Sequence, residues 1–204
     1  MKKHLGKIMI TLGLAVIIIA ISTKLITSHK KSQLINEYIK YESMEKNKVN
    51  DNETNTEKQN TEEKNDDSVN ENIIGIMRIP KIDLEVPIGE GTDNKTLKYS
   101  VGHFTDTAMP GDNGNFSVIG HRSYTFGEFF NRLDELEIGD AVKVEKDNKI
   151  FNYEIREKFV VDPEEVSVLN QTDDEEITLI TCTPIRVATH RLIVKGILVG
   201  VEEK

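Results

Sequence analysis

Residues 177–194 read ITLITCTPIRVATHRLIV. The first half is β-rich and bounded by acidic turn residues, so it reads as a strand. Strand alternation places Thr178, Ile180 and Cys182 on one face. Pro184 lacks an N–H and holds Thr183 extended, so the ladder stops there and Cys182 stands at the strand's end beside a loop. A second β-rich run, 192–201, follows after one tight connection, 183–190. If the two strands lie side by side, Arg191 comes near Cys182.

Outward from this pair, residues 73–204 carry mostly strand signals. The runs 74–79 and 82–88 flank Pro80-Lys81. A short apolar run, 116–119, ends at Gly120 and follows the turn-rich Pro110-Gly111-Asp112-Asn113-Gly114. Residues 126–133 place Phe126, Phe129, Phe130 and Leu133 on one helical face, which predicts a short helix. Strands over 141–145 and 150–161 are joined by an Asp147-Asn148 hairpin. Close turn spacing and scarce helix favour an all-β domain, a closed or nearly closed barrel. Its 132 residues can bury a core without disulfides or metals.

The rest of the chain is unlike this. Residues 8–23, IMITLGLAVIIIAIST, hold no charge, with Lys2, Lys3 and Lys7 before them and Lys24 after. Sixteen residues reach about 24 Å, short of a ~30 Å bilayer core, but snorkelling lysines extend the span to 5–26. The reading is a transmembrane anchor within residues 1–29, oriented by its N-terminal lysines so that the later chain is extracellular. The rival is a signal peptide cleaved near Ala20-Ile21-Ser22. Leu34, Ile35, Tyr38 and Ile39 recur at helical spacing, which lets that helix run on. Residues 45–72 hold nine acids, four lysines, eight asparagines and two apolar side chains. Such a stretch cannot offset its ordering entropy, so 30–72 is expected to be a polar acidic linker, largely disordered. A functional tail is the other reading.

The net charge of −9 argues against nucleic-acid binding, since no basic excess exists to neutralise phosphates. A single cysteine excludes an internal disulfide and any multi-cysteine zinc site. Free cysteines are usually small buried apolar residues. The chemical alternative is a thiol nucleophile, which needs a proton-transfer partner, usually histidine. His103, His121 and His190 are the candidates in the domain, and position alone barely separates them. Arg191 is either a surface ion-pair residue or a guanidinium that donates to a developing oxyanion.

Thr178-Leu179-Ile180-Thr181-Cys182 resembles the sortase signature TLxTC. Arg191-Leu192-Ile193-Val194 is similar to that family's arginine-bearing last strand, and Gly120-His121-Arg122 to its catalytic histidine segment. Residues 107–111 and 114–116 look like the stretch upstream of that histidine. The three motifs appear in family order across 73–204.

The resemblance implies an eight-stranded sortase-type β-barrel. It also implies a membrane-anchored cysteine transpeptidase of Gram-positive bacteria. Such an enzyme cuts an LPxTG-like sorting signal of a surface protein between Thr and Gly. It holds the acyl part as a thioester and passes it to an amine of peptidoglycan or its lipid-linked precursor. Carried over, Cys182 is the nucleophile, His121 the general acid/base and Arg191 the substrate-positioning and oxyanion-stabilising residue. Thr181 lines the substrate groove, the Thr183 N–H is a second oxyanion donor, and His103 is structural or at the cleft edge. Residues 30–72 lack the Asp-Pro-aromatic lid motif of pilus-building members, and 183–190 leaves no room for the helix that class B inserts. Class D or class A is therefore favoured. A pilus-polymerising enzyme and a protease that hydrolyses its thioester are the alternatives. No cofactor is expected. Calcium is optional in the family, and Glu164, Glu165 and 173–176 read as solvated acidic loops.

Overall fold

The computed structural model describes residues 2–50, 73–122 and 129–204. The side chains of residues 2–8, 11, 23, 24, 27 and 44–50 are not among those described. A long helix, α1 (Lys2–Asn50), precedes eight strands. These are β1 (Ile73–Ile79), β2 (Leu84–Glu90), β3 (Val101–His103), β4 (Gly114–Ile119), β5 (Ala141–Lys146), β6 (Lys149–Val161), β7 (Glu175–Thr183) and β8 (His190–Glu203). They close into a barrel in the order β1-β2-β3-β4-β7-β8-β6-β5. The β2–β3 and β4–β7 neighbours are parallel and the remaining pairs antiparallel.

The core follows strand alternation. Met77 and Ile79, Val86 and Ile88, Phe116 and Val118, Val142 and Val144 all point inward. So do Tyr153 and Ile155, Ile177 and Leu179, and Leu192 and Val194. Every second residue thus fills the barrel, each contributing about 1.5–3 kcal/mol of burial. At the hairpin between β5 and β6, Asp147 and Asn148 take φ of 53° and 58°, the left-handed pair that a two-residue turn needs.

Several expectations are corrected. The sequence run from 82 enters its strand only at Leu84, because Pro80–Ile82 form a 3₁₀ turn. Over its described part, 129–133, the predicted helix of 126–133 is not recovered. Residues 123–128 lie outside the described set, and the described part holds a 3₁₀ turn, Leu133–Glu135, behind Phe129 and Phe130. β3 and a one-turn helix α2 (Asn94–Leu97), capped by the Asp93 carboxylate, went unpredicted.

The helix α1 runs on through 34–39, as the helical spacing there allows, and continues to Asn50, into the stretch expected to be a largely disordered linker. Tertiary contacts override the composition. Leu34 and Ile35 are buried, and the helix touches β1 and β2. The Tyr38 hydroxyl donates to the Ile74 carbonyl at 3.3 Å. The buried Glu42 carboxylate accepts from the Asn148 N–H and pairs with Lys204, each at 3.3 Å. Burial pushes the Tyr38 phenol upward, helped by the Glu42 charge. Residues 51–72 of the expected linker lie outside the described residues. Among the described residues no helix is long and apolar enough to cross a membrane. The span expected over 8–23 is not recovered there, and Ile8, Thr11 and Thr23 within it are not described side chains. Its described apolar members, from Met9 to Ile21, are exposed.

Candidate active site

β7 and β8 form one end of the barrel. Their register pairs Cys182 with Arg191 and Thr183 with His190. Directly opposed residues of an antiparallel pair share a face, so the thiol and Arg191 stand on the same side of the sheet. The parallel neighbour β4 ends at Ile119, opposite Ile180, and delivers Gly120 and His121 to the same end. Gly120 is required there by close approach: a Cβ would lie 2.7 Å from Phe130 Cδ2 and 2.9 Å from Val101 Cγ1.

Cys182 is half-buried, while His121 is exposed. Both line an open cleft of about 370 Å³ together with Arg122, Phe129, Pro184, Ile185, Arg186 and Ala188. The His121 ring meets the Phe129 ring edge-on at 6.4 Å. The cleft wall is mainly apolar, with a thiol, an imidazole and two guanidinium groups on it. That set can perform acyl transfer, with a sulfur nucleophile and a proton carrier facing one substrate-sized space.

The three candidate histidines separate clearly. His103 is 1% exposed and sits under the sheet, its ring 5.1 Å from that of Phe116. Its Nδ1 lies 3.0 Å from a Glu90 carboxylate oxygen, and its Nε2 3.1 Å from both the Ala108 carbonyl and the Thr107 hydroxyl. It is a structural clamp on the loop after β3, not a cleft residue. His190 is exposed and faces Asp162 at 3.5 Å. Only His121, of the three, shares the cleft with Cys182.

Two residues differ from expectation. Thr181, expected in the substrate groove, is fully buried, and its hydroxyl donates to the Gly120 carbonyl at 2.8 Å. It ties the cysteine strand to the histidine segment. Arg191 has the expected register, but its Nη1 donates to the carbonyls of His190 at 3.1 Å and Ala188 at 3.4 Å. Its guanidinium braces the 183–190 connection. Thr183 offers its hydroxyl to the cleft edge, where it accepts from Arg122 Nη1 at 2.8 Å. Arg122 received no role from the sequence. Its side chain is 6% exposed beside Cys182, and only its place next to His121 marked it.

The sortase domain family matches residues 77–199. The chain belongs to the sortase family. Sortase D of Bacillus subtilis is 39% identical over 126 residues, covering 60% of this chain and 62% of that relative. The chain therefore spans less than two thirds of that relative's length. The solved structure of a Clostridium perfringens Sortase D5 transpeptidase is 43% identical, with a TM-score of 0.58, over 63% of this chain and 79% of that one. Sortase C1 of Streptococcus agalactiae is 34% identical with a TM-score of 0.61, over 64% and 69% of the two chains. The sortase barrel so matched is the part that carries His121, Cys182 and Arg191. Among its described residues, no group of three or more His, Cys, Asp or Glu side chains is arranged to hold a metal ion.

Proposed function

We propose that this sortase is a cysteine transpeptidase acting on surface proteins that carry an LPxTG-like sorting signal. The observation that carries the reading is the shared cleft of Cys182 and His121 beside the Cys182–Arg191 strand pair. The Cys182 sulfur attacks the carbonyl carbon of the Thr–Gly amide as a thiolate. The Arg191 guanidinium, swung from the loop carbonyls, and the Thr183 N–H donate to the oxyanion. The C–N bond then breaks, and the His121 imidazolium gives its proton to the departing glycine nitrogen, leaving a Cys182 thioester. An amine of peptidoglycan or its precursor attacks that thioester. Neutral His121 takes the amine proton, the C–S bond breaks and the thiolate returns.

The described apolar side chains of α1 between Met9 and Ile26, exposed on a helix that begins among lysines, support attachment to the cell membrane with the barrel outside it. Within the classes favoured by the sequence, the 39% identity to Sortase D of Bacillus subtilis supports class D over class A.

The test supplies an LPxTG-type peptide with and without an amine acceptor and weighs products by mass spectrometry. A thioester of the LPxT fragment on Cys182, and a product ratio that shifts to the amide when amine is added, are expected. Cys182→Ala should form neither. Hydrolysis that ignores the amine would make the chain a protease, and an acyl-enzyme on Cys182→Ala would remove Cys182 from the mechanism.

A further inference from the structure

His121 is the one exposed residue in a tightly fastened backbone segment. Before it, the Gly120 N–H donates to the Ile180 carbonyl at 3.0 Å, and Thr181 Oγ1 donates to the Gly120 carbonyl at 2.8 Å. Its own carbonyl accepts from the Phe130 N–H at 3.2 Å. After it comes Arg122, whose side chain turns back to β7. Arg122 Nη1 donates to Thr183 Oγ1 at 2.8 Å and to the Cys182 carbonyl at 3.4 Å. Arg122 Nη2 pairs with Asp134 Oδ1 at 2.8 Å. Asp134 belongs to the 3₁₀ turn Leu133–Glu135, and that turn is itself tied to β6. Lys158 Nζ donates to the Asp134 carbonyl at 2.9 Å and to the Leu136 carbonyl at 2.6 Å.

We propose that Arg122 is a positioning residue for the transfer reaction, a buried fork that fixes the spacing between His121 and Cys182. The inference rests on the transpeptidase reading above and adds a residue to it. The fork takes the backbone on both sides of the reaction: it grows from the residue after the proton carrier and bonds the nucleophile's own carbonyl. Lysine cannot replace it, because one ammonium lacks the planar pair of nitrogens that reaches Thr183 and Asp134 at once. Asp134, half exposed, aims the guanidinium and faces it with the only opposing carboxylate among the described contacts. Lys158 is the other charged group on that turn. Arg122 acts on geometry, so its loss moves the two reacting groups apart without changing the thiol itself.

The full-length chain is assayed in detergent by single-turnover thioester formation on an LPxTG-type peptide, beside alkylation of Cys182 by iodoacetamide from pH 6 to 9. Arg122→Gln should lower the acylation rate constant on the order of 10²-fold, the scale of a 1 Å misplacement, with the peptide's half-saturating concentration unchanged. Its alkylation rate and pH profile should match wild type, a readout that a change in thiol charge would move. Arg122→Lys should not rescue. Asp134→Asn, a change at the surface that keeps the fork, should give a several-fold loss of the same kind. It decides the matter if Arg122→Gln fails to fold. Acylation at the wild-type rate in Arg122→Gln, or in a folded Asp134→Asn when Arg122→Gln does not fold, overturns the inference. So does a shifted alkylation profile, which would make Arg122 an electrostatic activator. A wild-type chain that forms no thioester refutes the reaction itself, a result distinct from a variant that acylates normally.

Discussion

Replacing Thr181 by valine separates two roles for a residue that lies one step before the nucleophile. The side chain is fully buried, and its hydroxyl is given to the Gly120 carbonyl at 2.8 Å. Valine preserves the shape and removes the donor, leaving a buried carbonyl short of a partner at a cost of about 1–2 kcal/mol. A domain of about 130 residues has an unfolding entropy near 0.28 kcal/mol/K at its midpoint, so Tm should fall by about 4–7 °C. Gly120 precedes His121, so the loss reaches the chemistry as well. We expect kcat to fall by up to about 10²-fold with KM little changed. Thr181→Ser supplies the contrast. It keeps the hydroxyl and drops a methyl, at about 1 kcal/mol, and should retain most of kcat. Thermal unfolding and steady-state peptide cleavage on the three proteins decide. A Thr181→Val protein with unchanged Tm and a selectively raised KM would refute the tie to Gly120 and return Thr181 to the substrate groove.

Three further outcomes are expected. Arg191→Lys keeps the charge and loses the fork, so acylation should drop by roughly 10²–10³-fold if the residue serves the oxyanion, whereas near-normal acylation in both Arg191→Lys and Arg191→Ala would leave it only as a brace for 183–190. The Tyr153 phenol is held above its ordinary value of 10.0 by burial, as is that of Tyr38. In both cases folding favours the protonated form, so the stability is whole below pH 10 and is lost as pH rises above it. Tyr153→Phe, measured by urea unfolding, should cost about 1 kcal/mol near neutrality, through the Gly111 N–H that donates to the phenol at 3.1 Å, and should shrink the alkaline loss to the share of Tyr38. Glu42→Ala removes the contacts to Lys204 and Asn148, so hydrogen exchange at 34–42 should quicken, tenfold for each 1.4 kcal/mol of docking lost, while peptide cleavage stays unchanged.

The barrel was legible because its strands obey a period of two: Ile177 and Leu179 inward, Cys182 at the far end, and a connection too short for anything but an antiparallel return to Arg191. The same logic failed where elements are short. β3 has three residues and α2 four, too few for a period to register. Spacing alone could set Arg191 beside Cys182 but barely separated the three histidines; the Gly120-His121-Arg122 resemblance chose His121, and the fold puts it, and neither of the others, in the cleft with Cys182. No local pattern says that His103 is clasped by Glu90, thirteen residues earlier. Thr181 was misassigned for a related reason. Its neighbour across the sheet is Gly120, sixty-one positions away, and the bond between them crosses a parallel pair that the sequence does not announce.

The least legible feature is where α1 meets the barrel. Its contacts join Glu42 to Lys204, 162 positions apart, and to the Asn148 turn. Both partners sit at the end of the barrel remote from the thiol. β8 runs from His190 beside Cys182 to Glu203 beside Lys149, so its length separates the two ends by about 40 Å. The helix is thus fastened through Leu34–Glu42 at the end opposite the thiol. The polar composition of 30–50 conceals this, because the same glutamate that suggests a solvated linker is the one that Lys204 pairs with.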